Sequence, residues 1–363
     1  MKKVLFITNY PSPYRVKFFD ELGKRTELTV LFADRIEDKK HRNASWYISS
    51  NGNFRMVQLE RHVASIRGRS LCLDVIDWVK KDFDAIVICG YSNPTVLLAA
   101  FYMRLHRIPF SMEVDGGLIR QESSLMYRVK KLLVSSADRW FSTGKCTTEF
   151  LVHYGAKPER VVEYPFSSLM DADLLSQIIP AEKKTALRRE LGIEEPRMIL
   201  SIGQFIHRKG FDVLLRAAAE MKSHAGIYIV GGEPTEEYLK MCQELQLKNV
   251  HFCGFMKKEE LARYYRAADL FVLPTREDIW GLVINEAMAY GLPVITTDRC
   301  VAGLELVEDG VNGYIVPVGD DAALAEKMDL TMASDLEQMG KSALAKVRSY
   351  TIENMAKIHE ENL

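Results

Sequence analysis

Two stretches of this 363-residue chain set a hydrophobic strand, a glycine and charged side chains in an order suited to holding an anion. In the first, Met198–Leu214 (MILSIGQFIHRKGFDVL), a strand ends at Gly203, His207-Arg208-Lys209 fill a loop, and a helix follows Gly210. Two fixed positive charges at a strand's carboxyl end suit a diphosphate, which they bind and whose growing charge they stabilise as it leaves. The plainer alternative is a solvated basic loop. In the second, Phe271–Ile295 (FVLPTREDIWGLVINEAMAYGLPVI), a strand runs into Thr275-Arg276-Glu277-Asp278 and a helix begins near Gly281. Backbone N–H groups are free at a helix start and the dipole is positive there, so an anion is stabilised. Gly281 lets a phosphate or sugar come close to the main chain. Glu286 falls among Val283, Ile284, Ala287 and Met288, company in which a carboxylate needs a hydroxyl or cation partner. Taken singly, Asp278 reads equally as a helix cap and Glu286 as a snorkelling surface residue.

Two further turns repeat the theme. Ile227–Glu236 runs from a strand through Gly231-Gly232-Glu233-Pro234 into a helix, and Val250–Met256 ends a strand on Gly254 with Phe255 and Met256 able to cover a flat base. In the first half, Asn9–Arg15 follows the first strand, and Glu113-Val114-Asp115-Gly116-Gly117 closes another. Asp115 is a candidate for contact with acceptor or sugar hydroxyls, and its turn-forming role in Asp-Gly-Gly stands beside that reading.

The elements that must position these loops alternate in type. Short apolar runs (Val4–Thr8, Leu28–Phe32, Ala85–Cys89, Pro109–Glu113, Arg139–Ser142) are separated by helical stretches around Val16–Lys24, Leu71–Lys80, Thr95–Leu105, Ser124–Ser135 and Thr147–Tyr154. The strand signal lapses over Asp171–Lys184. It resumes at Met198–Ile202, Ile227–Val230, Val250–Phe252, Leu270–Leu273, Val294–Thr296 and Gly313–Val316. Strands alternating with helices predict parallel sheets, and the length suits two domains. The expected division is 1–168 and 169–349, with a helix at 350–363 packing back on the first. Ligands of such sheets sit beyond the carboxyl ends of the strands, which points to a cleft between the domains.

Composition narrows the class. A hydrophobic content of 47% with 27% charged residues is that of a globular protein. The apolar run Val4–Ile7 stops at Thr8-Asn9 and Pro11, too short for a secretory or membrane-spanning segment, and reads as a buried strand. Six cysteines stand singly with no Cys-x-x-Cys, which fits reduced thiols in a cytosol. Residues 1–168 carry 26 Lys and Arg against 18 Asp and Glu, a net +8, while residues 169–363 carry 22 against 31, a net −9. The first half is therefore a candidate to meet something anionic, with chance imbalance as the alternative.

Taken together, the order and placement of these segments resemble the second domain of family-4 glycosyltransferases, retaining enzymes of the GT-B fold. The family pattern is a glutamate, seven residues and a second glutamate with Phe-Gly-Leu inside. Here Asp278, Ile279-Trp280-Gly281-Leu282 and Glu286 stand at that spacing. The resemblance implies an α/β fold of two doubly wound Rossmann-like domains facing a central cleft. It further implies that Glu286 holds the donor ribose, that Asp278 orients the sugar, and that the main chain at Trp280, Gly281 and Leu282 meets sugar and phosphate. Lys209 matches the lysine that grips the diphosphate, and Phe255 the segment beside the base. Gly203, Gly232, Glu233 and Met256 join the expected donor-binding set. Two departures stand out: Asp278 replaces the usual glutamate, and Gln204 the usual phosphate-binding arginine, a charge for which Arg208 is the candidate substitute. Arg15 or its neighbouring main chain is expected to face the phosphates.

The resemblance thus implies a hexosyl transfer from a UDP-sugar or GDP-sugar to a glycan or lipid-linked acceptor in polysaccharide biosynthesis, with no cofactor, no metal and no nucleic acid partner. Asp82-Phe83-Asp84 and Asp171-Ala172-Asp173 are Asp-x-Asp strings of the kind that bind divalent ions in other glycosyltransferases, but neither lies near the donor segments. A non-hydrolysing sugar-nucleotide epimerase and a non-catalytic nucleotide-sugar-binding protein are the rival readings. The expected location is cytoplasmic, on the inner face of the plasma membrane. The segment Leu125–Leu133 could lie in an anionic membrane through Leu125, Val129, Leu132 and Leu133, bordered by Arg128 and Lys131. The competing view is a crossover helix with its apolar face on the sheet.

Overall fold

The computed structural model describes residues 1–34, 52–66 and 68–363. Arg35, Lys39, Lys40, Arg42 and Arg67, which contribute to the basic first half, lie outside the described residues. Two units emerge: one is Met1–Met170 with Tyr350–Leu363, the other Asp171–Ser349.

In the first unit, the described strands are β1 (Lys3–Thr8), β2 (Glu27–Phe32), β3 (Arg55–Gln58), β4 (His62–Ile66), β5 (Arg69–Cys72), β6 (Ala85–Cys89), β7 (Ser111–Val114), β8 (Arg139–Ser142) and β9 (Val161–Glu163). Seven of them form a parallel sheet in the order β3-β2-β1-β6-β7-β8-β9, and β4 and β5 form a separate antiparallel pair. The order reverses direction between β1 and β6, because the chain winds outward to one edge and then restarts beside its first strand. β1 reads as an unbroken apolar run, since helices cover both faces of such a sheet and Val4, Leu5, Phe6 and Ile7 have no access to solvent. The expected helix Leu71–Lys80 is corrected: Leu71 and Cys72 pair with Ala64 and His62 in β5, and the helix covers only Val75–Val79.

The helix Ile352–Asn362 packs against Pro13–Gly23 within this unit. Its fully buried His359 lies among aromatic rings, stacked on Phe141 with centroids 4.4 Å apart and edge-on to Phe18 at 4.8 Å. Each fully buried phenylalanine of that cluster contributes roughly 1.5–3 kcal/mol.

The second unit contains β10 (Met198–Ile202), β11 (Gly226–Val230), β12 (Val250–Cys253), β13 (Leu270–Leu273), β14 (Val294–Thr297) and β15 (Gly313–Val316). They form one parallel sheet in the order β12-β11-β10-β13-β14-β15, a doubly wound arrangement whose direction switches between β10 and β13. Consecutive carboxyl ends therefore present, along a single edge, the loops after β12, β11, β10 and β13. Gly231 shows how tightly those ends are drawn together: a Cβ there would lie 1.7 Å from the Gly203 carbonyl oxygen, so any side chain would separate the loops.

Candidate active site

The loops after β10 and β13 meet at the switch point and are laced by backbone and side-chain bonds. Arg276 N–H and the Thr275 hydroxyl both donate to the Arg208 carbonyl, at 2.8 and 2.9 Å. The Arg276 guanidinium grips Asp212 in a two-pronged pair at 2.7 and 2.6 Å and reaches the His207 carbonyl at 2.8 Å. A fork of this geometry fixes orientation as well as distance.

That lacing brings the sequence-marked charges together. Lys209 Nζ lies 2.6 Å from Asp278 Oδ2, and both side chains are largely shielded, at 13% and 15% exposure. Arg208 stands 3.6 Å from the other Asp278 oxygen, donates to the Glu277 carbonyl at 2.7 Å, and remains 46% exposed. Gln204, where the resemblance led to the expectation of an arginine, is exposed on the same loop. Asp278 therefore faces two cations at once at this strand's end.

Asp278 does not cap the following helix, for Gly281 stands at its N-cap. The Asp278 main chain instead pairs with the segment Arg299–Val301. Gly281 has φ +105°, and a Cβ would meet Cys300 Sγ at 2.8 Å, so both its conformation and its neighbour demand glycine. The helix Leu282–Ala289 starts there. Trp280 is buried just before it and donates from its indole nitrogen to Asn285 at 2.8 Å. Glu286 sits half-buried one turn further, where the Tyr265 hydroxyl donates to it at 3.0 Å. That hydroxyl is the partner an enclosed carboxylate requires, and burial together with Glu286 pushes the Tyr265 phenol well up.

The other residues expected to meet the donor occupy the same sheet edge. Gly203 follows β10. Gly232, at φ +119°, and the exposed Glu233 follow β11. Phe255 follows β12, exposed, with Met256 half-buried beside it. Leu282 opens the helix after β13.

Arg15 and Asp115 belong to the first unit and come together with each other. Arg15, expected with its neighbouring main chain to face the phosphates, has a side chain only 3% exposed, and both arms of its guanidinium are engaged. One pairs with Glu113 at 2.6 Å and the other with Asp115. Glu113 is fully buried and also accepts from the Tyr164 hydroxyl at 2.7 Å. Burial alone would raise its carboxyl, but Arg15, His359 and Tyr164 outweigh that and hold it below the ordinary carboxylate value. His359 Nε2 stands 4.0 Å away, and burial keeps that imidazole below its ordinary value. Asp115 is the member of this network that reaches solvent.

Tyr265 lay outside the motifs that the sequence singled out, and Arg276, Asp212 and Glu113 lay inside them without their partners being legible. These residues pair across 21 to 98 residues of sequence, and no local signal joins them.

Of the Asp-x-Asp strings, Asp84 accepts the Lys3 N–H and Asp173 pairs with Lys258, both at 2.7 Å. Among the described residues, no group of three or more His, Cys, Asp or Glu is placed to hold a metal ion, and no helix is long and apolar enough to cross a membrane.

Residues 183–346 match the family described as glycosyl transferases group 1. D-inositol 3-phosphate glycosyltransferase of Streptomyces scabiei is 33% identical over 238 residues, covering 60% of this chain and 52% of that protein. Amylovoran biosynthesis glycosyltransferase AmsK of Erwinia amylovora is 33% identical over 186 residues, 44% of this chain and 45% of that one. The chain thus spans about half the length of the curated relatives it matches. Among solved structures, Anabaena Alr3699/HepE in complex with UDP superposes with a TM-score of 0.76 at 19% identity, over 99% of this chain and 98% of that one. The fold of the chain is accordingly GT-B, and its segment 183–346, which carries the Lys209–Asp278 pair, matches the glycosyl transferases group 1 family.

Proposed function

We propose that the protein is a retaining glycosyltransferase that moves a hexose from a nucleotide diphosphate sugar to a glycan or lipid-linked acceptor in polysaccharide biosynthesis. The observation that carries this reading is the Lys209–Asp278 pair, held beside the start of the helix Leu282–Ala289 at the switch point of the sheet. Lys209 and Arg208 meet the diphosphate, and their charge, with the helix N-terminus, stabilises it as it departs without a metal ion. Asp278, already fixed by Lys209, orients the sugar hydroxyls. Glu286 accepts from the ribose while Tyr265 holds its carboxylate in place. In the reaction the bond from the anomeric carbon to the diphosphate oxygen breaks. The acceptor oxygen bonds that carbon on the same face, and its proton passes to the departing phosphate oxygen.

Among the relatives, the one named for amylovoran biosynthesis supports the biosynthetic reading, whereas the one named for an inositol phosphate points to a small soluble acceptor. The donor reading is supported by the UDP bound to the Anabaena neighbour. The test is incubation with labelled UDP-sugars and GDP-sugars without acceptor, with and without a chelator. Slow hydrolysis insensitive to chelator is expected. An isomerised donor would overturn the reading in favour of epimerisation, and binding without turnover in favour of a sensor.

A further inference from the structure

The helix Ser124–Val134 turns its apolar side outward. Val134 is its one fully buried residue. Tyr127 lies half-buried, its ring 5.3 Å from that of His153, and Lys130 pairs with Glu122 at 2.6 Å. On the opposite side Leu125 is 73% exposed and Leu132 59%, with Met126 and Val129 exposed beside them. A crossover helix packed by its apolar face would show the reverse, so that alternative fails here. Lys130, between the two bordering cations in sequence, is turned to the ion pair with Glu122.

Along one flank of this stripe lies an open hollow of about 500 Å³, lined by Arg120, Ser124, Tyr127, Arg128, Lys131 and His153. Glu122 also reaches it, but Lys130 and the Tyr154 hydroxyl engage its carboxylate. Among the described residues neither Arg128 nor Lys131 forms an ion pair, although Lys131 lies 5.7 Å from the Tyr127 ring. A concave site with three cations on its walls, bordered by an exposed apolar stripe, has a matching partner: an anionic head on an apolar tail.

We propose that this hollow binds the phosphomonoester headgroup of a lipid while Leu125, Val129 and Leu132 enter the membrane interface beside it. A phosphomonoester offers up to two charges and three free oxygens to the converging cations, whereas a phosphodiester offers one charge and two oxygens. The inference rests on the lipid-side half of the proposed function and not on its donor half.

Sedimentation of the full chain with vesicles tests it, comparing phosphatidylcholine alone with phosphatidylcholine carrying phosphatidic acid or, at equal surface charge, phosphatidylglycerol. Tighter binding to phosphatidic acid is expected. Arg128→Ala/Lys131→Ala should remove that preference and weaken binding to anionic vesicles by roughly 30-fold. Leu125→Ser/Leu132→Ser should weaken binding to both anionic compositions, and Lys2→Ala/Lys157→Ala, which removes two exposed cations elsewhere on the unit, should change neither. Equal binding to phosphatidic acid and phosphatidylglycerol, or a preference that survives Arg128→Ala/Lys131→Ala, would overturn the proposal. So would protection of the wild type from heat by inorganic phosphate alone, without a phosphatidic acid preference, because the hollow would then serve a soluble phosphate. Donor hydrolysis without vesicles should be the same in all three variants, which separates this failure from failure of the donor site.

Discussion

The two units share a strand order and place arginine or lysine beyond the carboxyl end of the first strand, yet they employ that charge in opposite ways. In the first unit Arg15 is enclosed, and two carboxylates saturate it. In the second, Lys209 and Arg208 share the single carboxylate of Asp278 and keep part of their surface exposed. A cation saturated by two carboxylates has no capacity left for a ligand and serves the fold, whereas two cations sharing one carboxylate keep capacity for an incoming anion. Burial and partner count, rather than residue type, separate structural charge from binding charge.

The largest expected effect breaks the enclosed network. Removing one partner of a buried ion pair costs about 3–5 kcal/mol, because the other is left uncompensated. Arg15→Ala should lower unfolding free energy by that amount in urea titrations. A loss under about 1 kcal/mol would mean that the network is wetter than its burial indicates. Lys209→Ala should do the reverse, leaving the urea midpoint nearly unchanged while turnover falls roughly 100- to 1000-fold, the scale of one electrostatic donor to a departing oxyanion. Arg208→Ala should fall in the same range if it supplies the charge missing at Gln204, and a harmless Arg208→Ala would leave Lys209 as the principal grip.

A smaller effect concerns Glu286. Losing a charged hydrogen bond costs about 1.5–3 kcal/mol, so Glu286→Gln should weaken donor use roughly 10- to 150-fold. Tyr265→Phe, which removes only the neutral donor holding it, should cost about 0.5–1.5 kcal/mol and appear mainly in the donor KM. Equal losses for the two variants would assign Glu286 to packing.

The smallest effect is on pH dependence of stability. His359 is held below its ordinary 6.5, so the unfolded chain binds its proton first, and stability should decline as pH falls below that value. Glu113, held below its ordinary 4.5, adds a second decline as pH falls below that value, because the unfolded chain again takes up the proton first, and this decline levels off once the folded form is protonated too. His359→Phe should erase the first decline and leave the second weaker but present, since Arg15 and Tyr164 still hold Glu113 down. A first decline of undiminished slope in that variant would place its origin elsewhere.

The sequence revealed the second unit more fully than the first. Its strands are short apolar runs, fully or largely shielded, and Met198–Ile202, Leu270–Leu273 and Gly313–Val316 appear where periodicity placed them. In the first unit, β3 and β4 are mostly exposed, and their few apolar residues are interrupted by polar ones, so no hydrophobic run announced them. β9 has only three residues, none buried. Lys209 and Asp278 stood out because each lies in a motif of fixed local spacing. The enclosure of Arg15 was not legible, since its partners lie 98 and 100 residues further on and only the sheet brings them near.

The helix Ile352–Asn362 completes the aromatic core of the unit that begins at Met1, although the whole of Asp171–Ser349 is synthesised in between. On the ribosome, Phe6, Phe18 and Phe141 must therefore wait for His359 through nearly 180 further residues, while the contiguous second unit has everything it needs to fold first. The nascent first unit is a natural client for a chaperone during that interval. Chains arrested before residue 350 should be captured by such holding factors, and chains extended past residue 363 by an unstructured tether should be released from them.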